Sequence, residues 1–169
     1  YSYSVFKTRE ALRGYFEAAR SALGPDGLFV IDAWGGWESQ QPLVERRKQD
    51  GFFYVWDQAR YDPITSYALN HIHFEFPDGT RLKRAFTYDW RFWSLAELQE
   101  LLREAGFVDV DVLWEDADDR GEGTGVFRKV QSVDNDPGWN ASLAAKTCPP
   151  LPGSKDAKKA DKRARKLAA

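Results

Sequence analysis

Apolar residues fall at helical spacing near the start of the chain and at strand spacing over much of the remainder. Leu12, Tyr15, Phe16, Ala19 and Leu23 recur at i, i+3, i+4, i+7 and i+11, one stripe of a 3.6-residue period. Thr8 stands where an N-cap belongs, and Gly24-Pro25 closes the run, so the spacing predicts a helix between them. After the turn Pro25-Asp26-Gly27 comes Leu28-Phe29-Val30-Ile31-Asp32, a continuous apolar run ending in an acid. Such a run predicts a strand buried on both faces of a parallel sheet, with Asp32 at its carboxyl end, where open α/β sheets hold ligands.

From Phe52 to Trp93 the pattern turns aromatic and alternating, which predicts three strands over roughly 52–60, 66–76 and 82–93 in an antiparallel meander. Pro77-Asp78-Gly79-Thr80 is the clearest hairpin signal, because Asp-Gly accepts the positive φ of a tight turn. On the last strand Phe86, Tyr88, Trp90 and Phe92 share one face, and Thr87, Asp89, Arg91 and Trp93 the other. Ser94-Leu95-Ala96-Glu97 is a capping box that opens a helix from Leu95 to Ala105 with Leu98, Leu101 and Leu102 inward, and Gly106 stops it. Phe107 to Leu113 alternates valine with aspartate and predicts a strand solvated on one face. The acidic, glycine-rich stretch from Glu115 to Gly125 predicts a loop, and Val126–Val133 with Trp139–Ala145 a closing hairpin. Beyond Cys148 a Pro/Gly cluster leads into a Lys/Ala/Arg tail.

Composition sharpens this picture. With 169 residues, 43% hydrophobic and 15% aromatic, the chain has material for one real core. Its net charge of −2 is unevenly spread: residues 149–169 carry seven Lys/Arg against two Asp, and the rest is strongly acidic. An acidic body excludes a general electrostatic case for nucleic acid. The basic tail lacks aromatics for base stacking and an apolar stripe for membrane insertion, and is expected to be a solvated, disordered segment. A single cysteine, Cys148, excludes an intrachain disulfide framework and fits a reducing, cytoplasmic setting. No apolar run approaches the roughly 18 residues of a membrane span, so no membrane partner is expected. The sequence opens on Tyr1 in mid-pattern and is expected to begin inside a fold.

The order helix, Gly-Pro-Asp-Gly turn, apolar strand ending in an acid, aromatic meander, capped helix, Glu-Ala-Gly-Phe and strand resembles the second half of class I S-adenosylmethionine-dependent methyltransferases. In that family a helix is followed by "L-x-P-G-G" and a strand ending in an acid; here Leu23-Gly24-Pro25-Asp26-Gly27 leads to Asp32, departing only at Asp26. The family's "s-x-x-E-l-x-x-l-l-x-e-A-G-F" is matched nearly throughout by Ser94 to Phe107. The resemblance covers most of residues 1–145. It implies an α/β, Rossmann-like fold whose C-terminal half spans residues 1–148, with residues 52–93 as an antiparallel lid over an acceptor site. It implies S-adenosylmethionine as cofactor and N- or O-methylation of a small-molecule acceptor. The family's Gly-x-Gly-x-Gly loop and the acid that binds the ribose are absent from these residues. On this reading the chain alone is inactive, and a partner chain supplying the first half, or a homodimer, completes it.

Methyl transfer is an in-line displacement, so the protein chiefly aligns the reactants and excludes water. Where the acceptor must lose a proton, Tyr88, Asp89 and His71 are the candidate catalytic groups, general bases contributing about 10²–10⁴-fold. By the resemblance Tyr3 and Ser4 border the cofactor. Asp32, Trp34, Asp89 and Arg91 are the candidate acceptor-binding residues. Asp32 can equally cap the following loop, and Asp89 and Arg91 can form an ion pair of little worth. His71 and His73 stand at i and i+2 without a third ligand, so no metal site is expected. Trp34, Trp37, Trp56, Trp90 and Trp93 can line a cage for an ammonium group or simply pack. Two readings of other classes stay open: a non-catalytic module holding a small ligand, and an assembly subunit joined through its sheet edge.

Overall fold

A computed structural model of the protein describes residues 1–119, 121 and 123–148; the expected basic tail lies outside the described residues. A 3-10 turn (Ser2–Val5) is followed by α1 (Arg9–Ala22), β1 (Leu28–Gly35), a 3-10 turn (Trp37–Gln40), β2 (Leu43–Lys48), β3 (Phe53–Asp62), β4 (Tyr67–Glu75), β5 (Arg81–Arg91), α2 (Leu95–Glu104), β6 (Val108–Ala117), β7 (Gly123–Val130) and β8 (Trp139–Lys146). The strands form two four-stranded sheets, ordered β1-β8-β6-β7 and β2-β3-β4-β5. Among the described residues no helix is long and apolar enough to cross a membrane.

Both helices begin and end where local chemistry dictates. Thr8 caps α1 by accepting from the Ala11 N–H at 3.2 Å. Ser94 Oγ accepts from the Glu97 N–H at 3.2 Å while Glu97 Oε2 accepts from the Ser94 N–H at 3.0 Å, a reciprocal capping box opening α2. At the far end Gly106 takes φ +88. The Phe107 N–H reaches Leu102 O at 3.0 Å and the Gly106 N–H reaches Arg103 O at 2.9 Å, so a Schellman turn satisfies the last carbonyls. The inward stripes, Leu12 and Phe16 on α1 and Leu98, Leu101 and Leu102 on α2, are wholly buried against Ile31, Ala33, Leu143 and Ala145 of the first sheet.

Three expectations change here. β1 is not buried on both faces: Phe29 and Ile31 turn toward the helices, while Leu28 and Val30 on the other face are 57% and 49% exposed. Among the described residues the helices cover that sheet on one face only, and β1 pairs only with β8, antiparallel. Asp32 is the fifth of eight strand residues rather than the last, because Ala33, Trp34 and Gly35 go on pairing with Ala141, Asn140 and Trp139. The closing hairpin does not form. β8 inserts between β1 and β6, where its small apolar residues Ala141, Leu143 and Ala145 fit the crowded centre of the sheet, and β7 pairs with β6 from the outside. Since β1 and β6 both run antiparallel to β8, they are parallel to each other.

The stretch expected as a loop after Glu115 is mostly strand. β6 runs on to Ala117, and Glu115 Oε1 accepts from the Gly125 N–H at 3.0 Å while Thr124 Oγ1 donates to Asp116 O at 2.8 Å, tying it to β7. The meander holds as β3, β4 and β5, with Gly79 at φ +86 in the β4–β5 turn, and gains β2 as an edge strand. The segment before α1 is pinned across β5. Lys7 Nζ donates to Asp89 O at 2.6 Å and to its carboxylate at 2.8 Å, Arg91 donates to Lys7 O at 3.0 Å, and Trp93 Nε1 donates to Phe6 O at 3.3 Å.

Candidate functional site

β1 and β6 end at a cleft of about 1200 Å³ that separates the two sheets. β1 and β6 are parallel with antiparallel β8 between them, and the carboxyl ends of parallel strands are where open α/β sheets receive ligands. One side carries Trp34 and Gly35 from the end of β1, Trp114 to Ala117 from the end of β6, and Trp139 and Asn140 from the start of β8. The facing wall is one face of the second sheet, with Tyr54, Trp56 and Gln58 on β3, Ile72 on β4, and Tyr88 and Trp90 on β5. Strict alternation puts these side chains together: Trp56 is opposite Ile72, and Gln58 and Tyr88 both face Asn70.

Two glycines shape the mouth. A Cβ on Gly35 would lie 2.2 Å from Trp139 Cζ2, and one on Gly36, at φ +105, 2.2 Å from Pro137 O. Only glycine lets β1 leave its sheet this close to the 137–139 segment, which also accepts the Glu38 N–H at Pro137 O, 3.0 Å away.

The aromatic lining is continuous. Tyr88 and Trp90 lie 4.4 Å apart between ring centroids, Trp56 is 6.1 Å from Tyr88 and 6.4 Å from Trp90, and Trp34 is 6.4 Å from Trp90. Tyr1 makes edge contacts with Trp34 and Trp90 at 6.4 and 6.5 Å and donates from its hydroxyl to Asn140 Oδ1 at 2.7 Å. Trp114 and Trp139 pair 5.0 Å apart on the opposite side. The charges lean acidic: Glu38, Glu45, Glu115, Asp116 and Asp136 against Arg47 and Arg128. Both arginines are already engaged, Arg47 with Glu45 at 2.7 Å and Arg128 with Asp116 at 2.5 Å. Burial raises the Tyr1 hydroxyl pKa, and the carboxylates of Asp32 and Glu115 raise it further.

Of the residues singled out from sequence, Trp34, Trp56, Tyr88 and Trp90 line the cleft, whereas Trp37 is exposed outside it and Trp93 is buried in the helix-backed core. Asp32 sits on the same strand face as Trp34, two residues back, where its carboxylate accepts from Ser142 Oγ at 3.1 Å. Asp89, Arg91 and His71 do not line it. Asp89 is held by Lys7. Arg91 lies over the Trp93 ring at 3.8 Å and reaches Glu97 at 3.3 Å, which makes it a strut between β5, α2 and the first residues. His71, 5% exposed, lies on the opposite sheet face, its Nδ1 3.0 Å from Thr87 Oγ1. Its neighbour His73 accepts the Arg84 N–H at Nδ1, 2.7 Å away, which leaves the proton on Nε2 to be donated to Asp57 at 3.1 Å. Tyr3 and Ser4 are buried in the first 3-10 turn, and desolvation, then Tyr1 and Asp32, hold the Tyr3 hydroxyl pKa far above its ordinary value. Among the described residues no group of three or more His, Cys, Asp or Glu side chains is placed to hold a metal ion.

Tyr1, Trp114, Glu115 and Trp139 join the cleft without a signal in the sequence pattern. Tyr54, two residues before Trp56 on one strand face, is signalled by the alternation itself.

S-adenosylmethionine calls for a glycine loop between a strand and a helix. α1 instead starts after a 3-10 turn at Thr8 and α2 after β5 at Ser94, while Gly35 and Gly36 lead into the Trp37–Gln40 turn. The described residues thus do not form a cradle for the cofactor's amino-acid end.

No family model matches the sequence, and no curated protein matches it significantly. Solved structures do. The CcbJ methyltransferase from Streptomyces caelestis aligns over 85% of this chain and 56% of its own, at 17% identity and a TM-score of 0.58. An S-adenosylmethionine-dependent methyltransferase from Clostridium acetobutylicum aligns over 86% of this chain and 54% of its own, at 17% identity and a TM-score of 0.56. DesVI from Streptomyces venezuelae aligns over 85% and 54%, at 16% identity and a TM-score of 0.51. The chain therefore spans little more than half the length of these structures. Its fold is similar to that of the matching part of these methyltransferases.

Proposed function

We propose that this chain is the acceptor-binding part of an S-adenosylmethionine-dependent methyltransferase that acts on a small molecule at nitrogen or oxygen. The observation that carries the reading is the aromatic cleft at the carboxyl ends of β1 and β6, in a chain whose fold matches methyltransferases. The cofactor supplies an activated methyl group, and the sheet half that grips it belongs to residues outside this chain. The outer edge of β1, unpaired among the described residues, and the exposed Leu28 and Val30 face are where such a half would join. The meander β3 to β5 of the second sheet, within residues 52–93, serves as the lid: Trp56, Tyr88 and Trp90 seat the acceptor and displace water from around it. Tyr88 and Glu115 are the groups placed to take a proton from a bound acceptor. With one thiol and no intrachain disulfide to maintain, the reading sets the protein in a reducing cytoplasm.

Calorimetric titration with S-adenosylhomocysteine tests this. The 169-residue chain, shown to be folded by circular dichroism, is expected not to bind it. The same chain extended by its upstream reading frame is expected to bind one equivalent and to transfer methyl groups. An extended chain that folds and does not bind overturns the proposal.

A further inference from the structure

Resting on the reading of the cleft as the acceptor site, we infer that its ligand is a small organic cation, a protonated amine or ammonium group seated against the Trp34, Trp56, Tyr88 and Trp90 rings and balanced by Glu115.

Two independent features of the cleft agree on this. The first is the wall. Four rings with neighbouring centroids 4.4 to 6.4 Å apart form a surface of π faces and edges, three of them indoles, the ring type that attracts cations best. An aliphatic ligand needs no such bias toward tryptophan. The second is charge. Five carboxylates line the cleft against two guanidiniums, and each guanidinium already faces a carboxylate, Glu45 or Asp116. Glu38, Glu115 and Asp136 are the surplus over these two pairs among the lining residues. Glu115 lines the same cleft as the four rings, together with Tyr1, which itself touches Trp34 and Trp90.

Ligand chemistry follows from elimination. An anionic ligand would have to break a formed ion pair, Arg47–Glu45 or Arg128–Asp116, to find a positive partner. A neutral alcohol can donate a hydrogen bond to a carboxylate but leaves the surplus negative charge uncompensated. A cation gains from both the rings and the acids, and it is the only one of the three for which the surplus is complementary. At about 1200 Å³ the cleft has room for an amine carried on a compact polar body and for part of a second molecule beside it.

Choline and its neutral isostere 3,3-dimethylbutan-1-ol differ only in the charge of the quaternary centre. Each is titrated into the folded 169-residue chain with tryptophan fluorescence and calorimetry as readouts. Choline is expected to saturate the protein at about tenfold lower concentration than the isostere, in line with one desolvated cation–π contact plus one carboxylate. Glu115→Gln keeps an oxygen that can accept the Gly125 N–H and is expected to weaken choline several-fold without changing the isostere. Trp56→Leu, checked for folding by circular dichroism, is expected to weaken choline more than the isostere. Equal binding of the two probes, no binding of either by the folded chain, or indifference of choline to Glu115→Gln overturns the inference. Its failure is separable from that of the proposed function. Choline selectivity in an extended chain that ignores S-adenosylhomocysteine keeps the cation site and removes the methyltransferase. Cofactor binding without charge selectivity does the reverse.

Discussion

The two sheets are built on different principles. The sheet backed by helices rests on a dense aliphatic core in which Leu12, Phe16, Leu98, Leu101, Leu102 and Leu143 lose all contact with water. The sheet β2-β3-β4-β5 has no helix in its core among the described residues; its buried apolar residues are Val55, Ala68, Ile72 and Trp90, and cross-strand rings and ion pairs do the rest. Arg46, for instance, lies over the Phe53 ring at 3.3 Å and reaches Glu75 at 2.7 Å. One sheet commits its side chains to stability, and the other keeps aromatic faces available for a ligand. Stability and recognition are thus divided between layers, and substitutions in each should report on different observables.

The largest expected effect is in the aliphatic core. Leu101→Ala leaves a cavity among fully buried neighbours and should cost about 2–5 kcal/mol, read from urea denaturation. An equal loss from a lid residue such as Val55→Ala would break the contrast, since Val55, though buried, belongs to a sheet with few buried apolar residues. Next comes the seam. Gly35→Ala forces Trp139 to move by the overlap of a 2.2 Å contact and should cost about 1–3 kcal/mol while narrowing the cleft. Denaturation and choline titration of the same variant measure both effects.

Alkaline titration sharpens the comparison further. A phenol held above its ordinary pKa of 10.0 keeps its proton longer in the folded than in the unfolded state. Its stabilising contribution is complete below pH about 10 and is lost as pH rises beyond that value. Tyr3 should therefore ionise last of the tyrosines, together with unfolding of the helix-backed layer, as read by absorbance near 295 nm alongside circular dichroism. Tyr54 on the second sheet, raised less, should ionise earlier. Tyr3→Phe should remove the late step. The smallest effect belongs to Asp89→Asn: its carboxylate is 72% exposed, and an ion pair so placed should contribute under about 1 kcal/mol, with choline binding unchanged.

Local signals make much of this architecture legible. Thr8, the Ser94 capping box, Gly106 and the Asp78-Gly79 turn each act through neighbours within a few residues, and the structure has caps and turns at those positions. The hidden part is non-local. β8 reads as a weak Ala/Ser/Leu stretch, and its place in the sheet depends on partners as distant as Leu28, opposite Lys146. β2 escapes a sequence pattern because Glu45, Arg46, Arg47 and Lys48 look like a solvated run, and charges of this kind suit an exposed edge strand. For the site, the period of two on β5 correctly separates Tyr88 and Trp90 from Asp89 and Arg91. It does not say which face meets the cleft, because that depends on where β1 and β6 end.

The position of β8 also bears on biosynthesis. A ribosome makes β1 and β6, then β7, before the strand that must lie between the first two. Until residue 146 has cleared the exit tunnel, the central rung of the helix-backed sheet does not exist, and both helices have only a split platform to settle on. Acquisition of structure in this region therefore waits for the last strand and is dominated by contacts distant in sequence, the class of topology that folds slowly.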